Sequence, residues 1–110
     1  MIRAELVLEG GYLRSCHISG HAGAGPKGSD IVCAAVSVLA RTAFIVLSKR
    51  KGIEINGGNP ERGEFRMEVK SLDGEIKDFL AGVGAFLEEG LVSVSKDYPD
   101  FCIVNIEEEL

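Results

Sequence analysis

The sequence lacks the residues on which several classes of protein depend. It has no tryptophan, and its three cysteines follow no paired spacing. An odd, unpaired set of cysteines does not form a disulfide framework, and without a C-x-x-C pair a thiol-redox role has little support. We therefore expect a reducing compartment, the cytoplasm.

Concentrated positive charge is also missing. Seventeen acidic residues outnumber twelve basic ones, for a net charge of −5, and the basic residues form no patch. Direct binding to nucleic acid is therefore not expected. An acidic surface suits a basic peptide as partner, and the same charge is also ordinary for solubility.

No internal repeat, low-complexity stretch or apolar leader is present. The first five residues carry charges where a signal peptide would need an apolar run, so we expect none. A chain of 110 residues, 45% of them hydrophobic, is long enough for one modest core. We expect residues 1–110 to form a single domain.

Alternating apolar and polar residues predict most of the strands. Residues 2–9 and 64–70 alternate cleanly, and 12–19 alternate with less distinct faces. Gly10 and Gly11 form a hairpin signal between the first two strands. Shorter strands are predicted at 53–56, 91–97 and 101–107.

Two segments have helical patterns. Residues 74–89 carry one apolar stripe, with Gly90 as the expected stop, whereas the helix predicted at residues 30–51 is apolar almost all round between Ile31 and Leu47. The first helix has too few apolar residues to be a convincing membrane span, and it holds Arg41 near its middle. A domain this small can hardly cover such a helix, so we expect a homodimer. The predicted order is β-β-α-β-β-α-β-β, an α+β fold whose strand order cannot be read from the sequence.

The most informative stretch is the glycine-rich segment that leads into the first helix. His21 lies in it, and Cys33 follows the expected helix cap at Ser29 or Asp30. A thiol in the first turn would face free N–H groups, which favours the thiolate, and a nearby imidazole could take its proton. Permissive glycine backbone could bring the two side chains together.

Simpler interpretations of these residues stay open. A lone cysteine in an apolar helix is more often a small core residue, and a histidine beside glycines is often an ordinary loop residue. The segment does not match a phosphate-binding loop, because Lys27 precedes Gly28 instead of following the last glycine. Cys16 and His17 are adjacent in a predicted strand and point to opposite faces, so we expect structural roles and no metal.

A family resemblance rests on this same segment. Gly20-His21-Ala22, Gly28 and the run Asp30-Ile-Val-Cys-Ala-Ala-Val-Ser37 resemble the signature of the ribosomal-processing cysteine proteases, the Prp family. The resemblance implies a cysteine endopeptidase that removes an N-terminal extension from a large-subunit ribosomal protein. It also implies that Cys33 is the nucleophile and His21 the general base, with no cofactor.

The other residues of the motif are candidates for binding the substrate: Gly20, Ala22, Gly28, Asp30 and Ser37. Asp30 is most simply a helix cap, and Ser37 either touches substrate or bonds back to its own helix. The alternative function is a non-catalytic assembly factor that binds a ribosomal protein. Reactivity of Cys33 towards an alkylating agent would separate the two.

Overall fold

Two antiparallel hairpins and two long helices make up most of the fold, seen in a computed structural model. The structure describes residues 1–20, 27–58 and 63–109, and for 27–30 only the backbone. The strands are β1 (Ile2–Glu9), β2 (Tyr12–Ser19), β3 (Ile53–Gly58), β4 (Glu64–Leu72) and β5 (Cys102–Glu109). The helices are α1 (Lys27–Ser48) and α2 (Lys77–Asp97), the latter preceded by a 3₁₀ turn, Gly74–Ile76. The predicted α+β class is confirmed.

The described strands form one five-stranded sheet in the order β3-β4-β2-β1-β5. The β1/β2, β2/β4 and β3/β4 pairs are antiparallel, and β1/β5 is parallel. The start of β1, the end of β2 and the start of β4 therefore lie at the same end of the sheet. We call this the loop end, because β2 leaves it towards the glycine-rich segment.

The first hairpin has the predicted turn. Gly10 and Gly11 have φ values of 60° and 83°, as a type I′ turn requires. The register shifts near Val7 and Leu8, so that Leu8 pairs with Leu13 and Leu6 with Cys16. This bulge explains the indistinct faces of β2. Along the strand, the buried side chains switch from one set of alternate residues to the other.

The boundaries of α1 differ from the prediction of residues 30–51. The helix begins at Lys27, so Ser29 and Asp30 lie inside it and Cys33 lies in its second turn. Pro26 immediately precedes the helix in sequence, and proline is favoured at helix starts, a signal that the N-cap preference of Ser29 and Asp30 obscured. The helix ends at Ser48, and Gly52 follows with a φ of 91°.

The predicted strand at residues 91–97 is wrong, because α2 continues through it to Asp97. Leu91 extends the buried stripe of Leu80 and Leu87, so the helical period does not stop at Gly90. A Cβ at Gly90 would lie 2.8 Å from Cδ2 of Leu39 on α1. Gly90 therefore permits close packing of the two helices and does not end α2. The described order is β-β-α-β-β-α-β, with five strands instead of six.

One face of the sheet packs against both helices. The sheet contributes Leu6, Cys16, Met67 and Cys102 to the core, while Val32, Val36, Ala40, Ala43 and Leu47 form the buried face of α1. The residues that alternate with the buried ones in β1, such as Arg3 and Glu5, are exposed on the opposite face.

By length and composition alone, residues Ile31–Ser48 of α1 could cross a membrane, with a mean hydropathy of 2.2. A core helix can satisfy the same criterion. The buried face of α1 packs in the core, yet only 28% of this segment is buried, which leaves much of its apolar surface exposed.

Candidate active site

Cys33 lies on the flank of α1, beside a cavity of about 230 Å³ at the loop end of the sheet. Its side chain is half-buried, between the buried face of α1 and solvent. The cavity forms where β1, β2 and β4 begin or end, since the sheet no longer fills the space beside the helix there. The lining residues are Ile2, Ile18, Gly20, Cys33, Val36, Ser37, Ala40, Arg41, Gly63, Glu64 and Phe65.

Gly20, one of the predicted substrate-binding residues, lines this cavity for a clear steric reason. Its φ is 90°, and a Cβ at this position would lie 2.3 Å from the carbonyl oxygen of Met1. Only glycine fits this close approach without moving the backbone. Gly20 thus lets β2 end tightly against the start of β1, directly before His21 in sequence.

Ser37, another predicted residue, follows Cys33 by one helical turn and lines the same cavity. Its hydroxyl has no hydrogen bond within the described part of the chain, so the bond back to its own helix is not observed. The hydroxyl is therefore available to a bound molecule.

Arg41 also lines the cavity, although it is not among the site residues predicted from the sequence. It continues the spacing of Cys33 and Ser37 by another four residues, which places all three on one flank of α1. We call Cys33, Ser37 and Arg41 the polar row. The signal was present in the sequence as a lone charge within an apolar helix, and its spacing from Cys33 would have revealed it.

The other two thiols are in a different environment. Cys16 and Cys102 are buried in the core at 1% and 2% exposure, and all three cysteines are free. Burial raises the pKa of the Cys16 thiol to about 12 and also raises the pKa of Cys102. A buried thiol with a raised pKa is a poor nucleophile, which leaves Cys33 as the candidate.

Four of the predicted site residues need comment. His21 and Ala22 lie outside the described residues. Gly28 and Asp30 belong to the first turns of α1, so Asp30 is not the residue before the helix as predicted. The first four N–H groups of the helix belong to residues 27–30, and Cys33 lies beyond them. The predicted contact of its thiol with free N–H groups of the first turn therefore does not follow from this helix.

A charged cluster flanks the cavity on the sheet. Nε2 of His17 lies 2.9 Å from Oε1 of Glu64, and Arg66 donates to the same oxygen from Nε at 3.1 Å. The hydrogen bond to His17, and then that to Arg66, lower the pKa of the Glu64 carboxyl from its ordinary value of 4.5. Cys16 is buried while the adjacent His17 is half-exposed, as the strand period predicts. No group of three metal-ligating side chains occurs in the part of the chain described.

An accessible thiol on a helix, beside an open cavity with polar groups, has the layout that a cysteine-dependent hydrolase needs. The chain belongs to the cysteine protease Prp family, whose profile matches residues 1–103. It is therefore a cysteine-type protease, and the resemblance noted in its sequence is confirmed.

Solved structures share the fold. SMU.848 from Streptococcus mutans is 24% identical, with a TM-score of 0.82 over 99% of this chain and 96% of the other. The ribosomal processing protease Prp from S. aureus, in complex with a substrate peptide, is 18% identical, with a TM-score of 0.81 over 97% of this chain and 100% of the other. The same protease with a covalently linked product peptide is 20% identical, with a TM-score of 0.75 over the same shares. No curated protein sequence matches the chain.

Proposed function

We propose that this protease removes the N-terminal extension of a large-subunit ribosomal protein, with Cys33 as nucleophile and His21 as general base. The observation that carries the proposal is the position of the thiols. Cys33 lines the open cavity, whereas Cys16 and Cys102 are buried. The S. aureus relative with substrate and product peptides is a ribosomal processing protease, which supports the choice of substrate.

The proposed reaction begins when His21 takes the proton from Cys33. The thiolate attacks the scissile carbonyl carbon, and backbone N–H groups of the glycine-rich segment or the start of α1 stabilise the oxyanion. The tetrahedral intermediate collapses, the C–N bond breaks, and His21 returns the proton to the leaving amine. Water then attacks the thioester, which releases the new carboxylate and restores the thiol.

Replacing the nucleophile gives the most direct test. We expect Cys33→Ala to lower kcat/KM by about a thousandfold or more, because no other group in the proposed mechanism can form the thioester. The measurement is mass spectrometry of peptides that copy the N-terminus of the ribosomal protein. Cys102→Ala is the matched control and should keep its activity, provided that circular dichroism shows it folded. Undiminished cleavage by Cys33→Ala would refute the mechanism.

The proposed base requires a separate measurement. His21→Ala should slow cleavage and abolish the acidic limb of its pH profile, since no imidazole then titrates in the site. His17→Ala is the control, because His17 pairs with Glu64 on β4 and has no place in the proposed mechanism. An unchanged pH profile in His21→Ala would remove this residue from the mechanism.

We also propose that the protein is a cytoplasmic homodimer. Ile31, Val38 and Ile45 follow one another at seven-residue intervals along α1 and are 55%, 55% and 49% exposed. This apolar stripe lies beside the polar row and needs an apolar partner surface, and a second copy would supply an identical one. The three free cysteines agree with a reducing compartment.

Substitution in this stripe tests the dimer. Val38→Glu should convert a dimer to a monomer in sedimentation velocity, because it places a charge in the centre of the apolar surface. Ile106→Glu is the control, since Ile106 is 42% exposed on β5, away from the stripe. A monomeric wild-type protein at micromolar concentration would refute the dimer.

A further inference from the structure

Arg41 is a cation with nothing to bind in the described structure. It is exposed, lines the cavity, and has no hydrogen bond or ion pair within the described residues. The protein has an excess of acidic residues, yet none of the described ones pairs with it.

Glu64 would be the natural partner, because it lines the same cavity. Its Oε1 already accepts from His17 and from Arg66, whose Nη2 lies 3.0 Å away. The carboxylate of Glu64 is held by these two partners and forms no ion pair with Arg41 in the described structure. The guanidinium of Arg41 therefore remains free to donate to a molecule that enters.

The spacing along α1 sets the distance between Arg41 and the nucleophile. Eight residues at about 1.5 Å each place Arg41 about 12 Å from Cys33 along the helix axis. An extended peptide advances about 3.3 Å per residue, so the same distance corresponds to three or four residues from the scissile bond.

The wall of the cavity that these two residues share is largely apolar. Ile2, Ile18, Val36, Ala40 and Phe65 contribute to it, and the volume of about 230 Å³ accommodates an apolar side chain. A peptide that fills this wall would run beside α1, from Cys33 past Ser37 to Arg41.

We propose that Arg41 is a specificity-determining residue, which binds a side-chain carbonyl or carboxylate oxygen of the substrate three or four residues from the scissile bond. Arginine carries five N–H donors and no acceptor, so it pairs with an oxygen acceptor and repels a cation. The role rests on the proposed function, since it requires that Cys33 cleaves a peptide lying in this cavity. Ser37, between the two, is placed to donate to a main-chain carbonyl.

A peptide series tests this role. Starting from a peptide that copies the N-terminus of a large-subunit ribosomal protein, each position three or four residues on either side of the expected scissile bond is varied among Gln, Glu, Leu and Lys. We expect kcat/KM at one of these positions to fall about tenfold from Gln or Glu to Leu, and further to Lys, mainly through KM.

Variants of Arg41 separate recognition from a structural role. Arg41→Met should cleave the Gln, Glu and Leu peptides alike, and Arg41→Glu should prefer Lys. Arg41→Lys should keep part of the preference, because it retains the charge without the planar fork. Thermal melting and sedimentation show whether the variants keep the fold and assembly of the wild type.

The outcomes are distinct. A preference for Gln and Glu that Arg41→Met removes supports the proposal. Equal cleavage of the whole series by the wild type, or an equal loss on every peptide in Arg41→Met, overturns the role of Arg41 alone. Failure of the wild type to cleave any peptide overturns the proposed function and, with it, the role of Arg41.

Discussion

Cys16 and Cys33 carry the same thiol group in two regions of the molecule that differ in solvent exposure. Cys16 lies in the middle of the sheet, beneath the helices, at 1% exposure, and burial raises its pKa to about 12. Cys33 lies at the loop end, where three strands begin or end and a cavity opens beside α1. The core around Cys16 excludes water, whereas the cavity beside Cys33 is open to it. Burial in the core therefore determines which thiol can react, and Cys102 is buried although it pairs with Ile2 at the loop end.

Alkylation should show the largest difference between these regions. A thiol with a pKa of about 12 is thiolate in about one molecule in ten thousand at pH 8. We expect iodoacetamide to label Cys33 at least about a hundredfold faster than Cys16 or Cys102 in the native protein. Mass mapping of the labelled peptides measures the rates. The urea-unfolded protein is the control, in which all three should react at similar rates.

Labelling at higher pH tests the same comparison between Cys16 and Cys33. Labelling of Cys16 should rise with pH until the protein unfolds, because its thiolate fraction grows as the pH approaches its raised pKa. Native rates that are equal for Cys16 and Cys33 would show that burial does not protect Cys16, and the contrast between the two regions would fail.

Serine substitutions should give a smaller contrast, this time in stability, with Cys16 as the more sensitive position. Cys16→Ser places a hydroxyl among apolar side chains and should lower the free energy of unfolding by about 1–3 kcal/mol. Cys33→Ser should change it by less than about 0.5 kcal/mol, because the cavity lets water solvate the hydroxyl. Urea unfolding measures both values. A larger loss in Cys33→Ser would mean that the loop end is packed as tightly as the core.

The smallest expected effect is the change in stability when Glu64, whose carboxyl lies beside the cavity, is replaced. The pKa of Glu64 is lowered, so its ion pairs stabilise the fold above about pH 4.5, and that contribution is lost as the pH falls through the lowered value. Glu64→Gln should therefore be slightly less stable than wild type at pH 7, and the difference should shrink as the pH falls below about 4.5. Glu5→Gln is the control, because Glu5 has no ion pair within the described residues. A stability difference that stays constant as the pH falls would assign the loss to packing.

Local patterns in the sequence predicted much of the fold. The alternation in β1 and β4 and the Gly10-Gly11 turn depend on near neighbours, and the structure has all three. The segment at 91–97 was predicted as a strand because a short apolar run fits either period. Its helical state follows from burial of Leu91 and from the contact of Gly90 with Leu39, which lies 51 positions away in the sequence.

Only part of the candidate site could be predicted from the sequence, because only some of its residues are near neighbours in the chain. Cys33, Ser37 and Gly20 belong to one continuous motif, and the structure brings them to one cavity. Ile2, Glu64 and Phe65 reach it from distant strands, and strand order depends on contacts that no local pattern encodes. Arg41 was missed because a charge in an apolar helix was interpreted as an interruption of the pattern.

The parallel pairing of β1 with β5 has a consequence for the order in which the cavity wall forms. The N–H of Ile2, a residue of the cavity wall, donates to the carbonyl of Phe101 at 2.8 Å, and β5 follows directly. During synthesis, β1 can pair with β2 early, but its other edge stays open until β5 has left the ribosome. A nascent chain without β5 therefore lacks one support of the cavity wall.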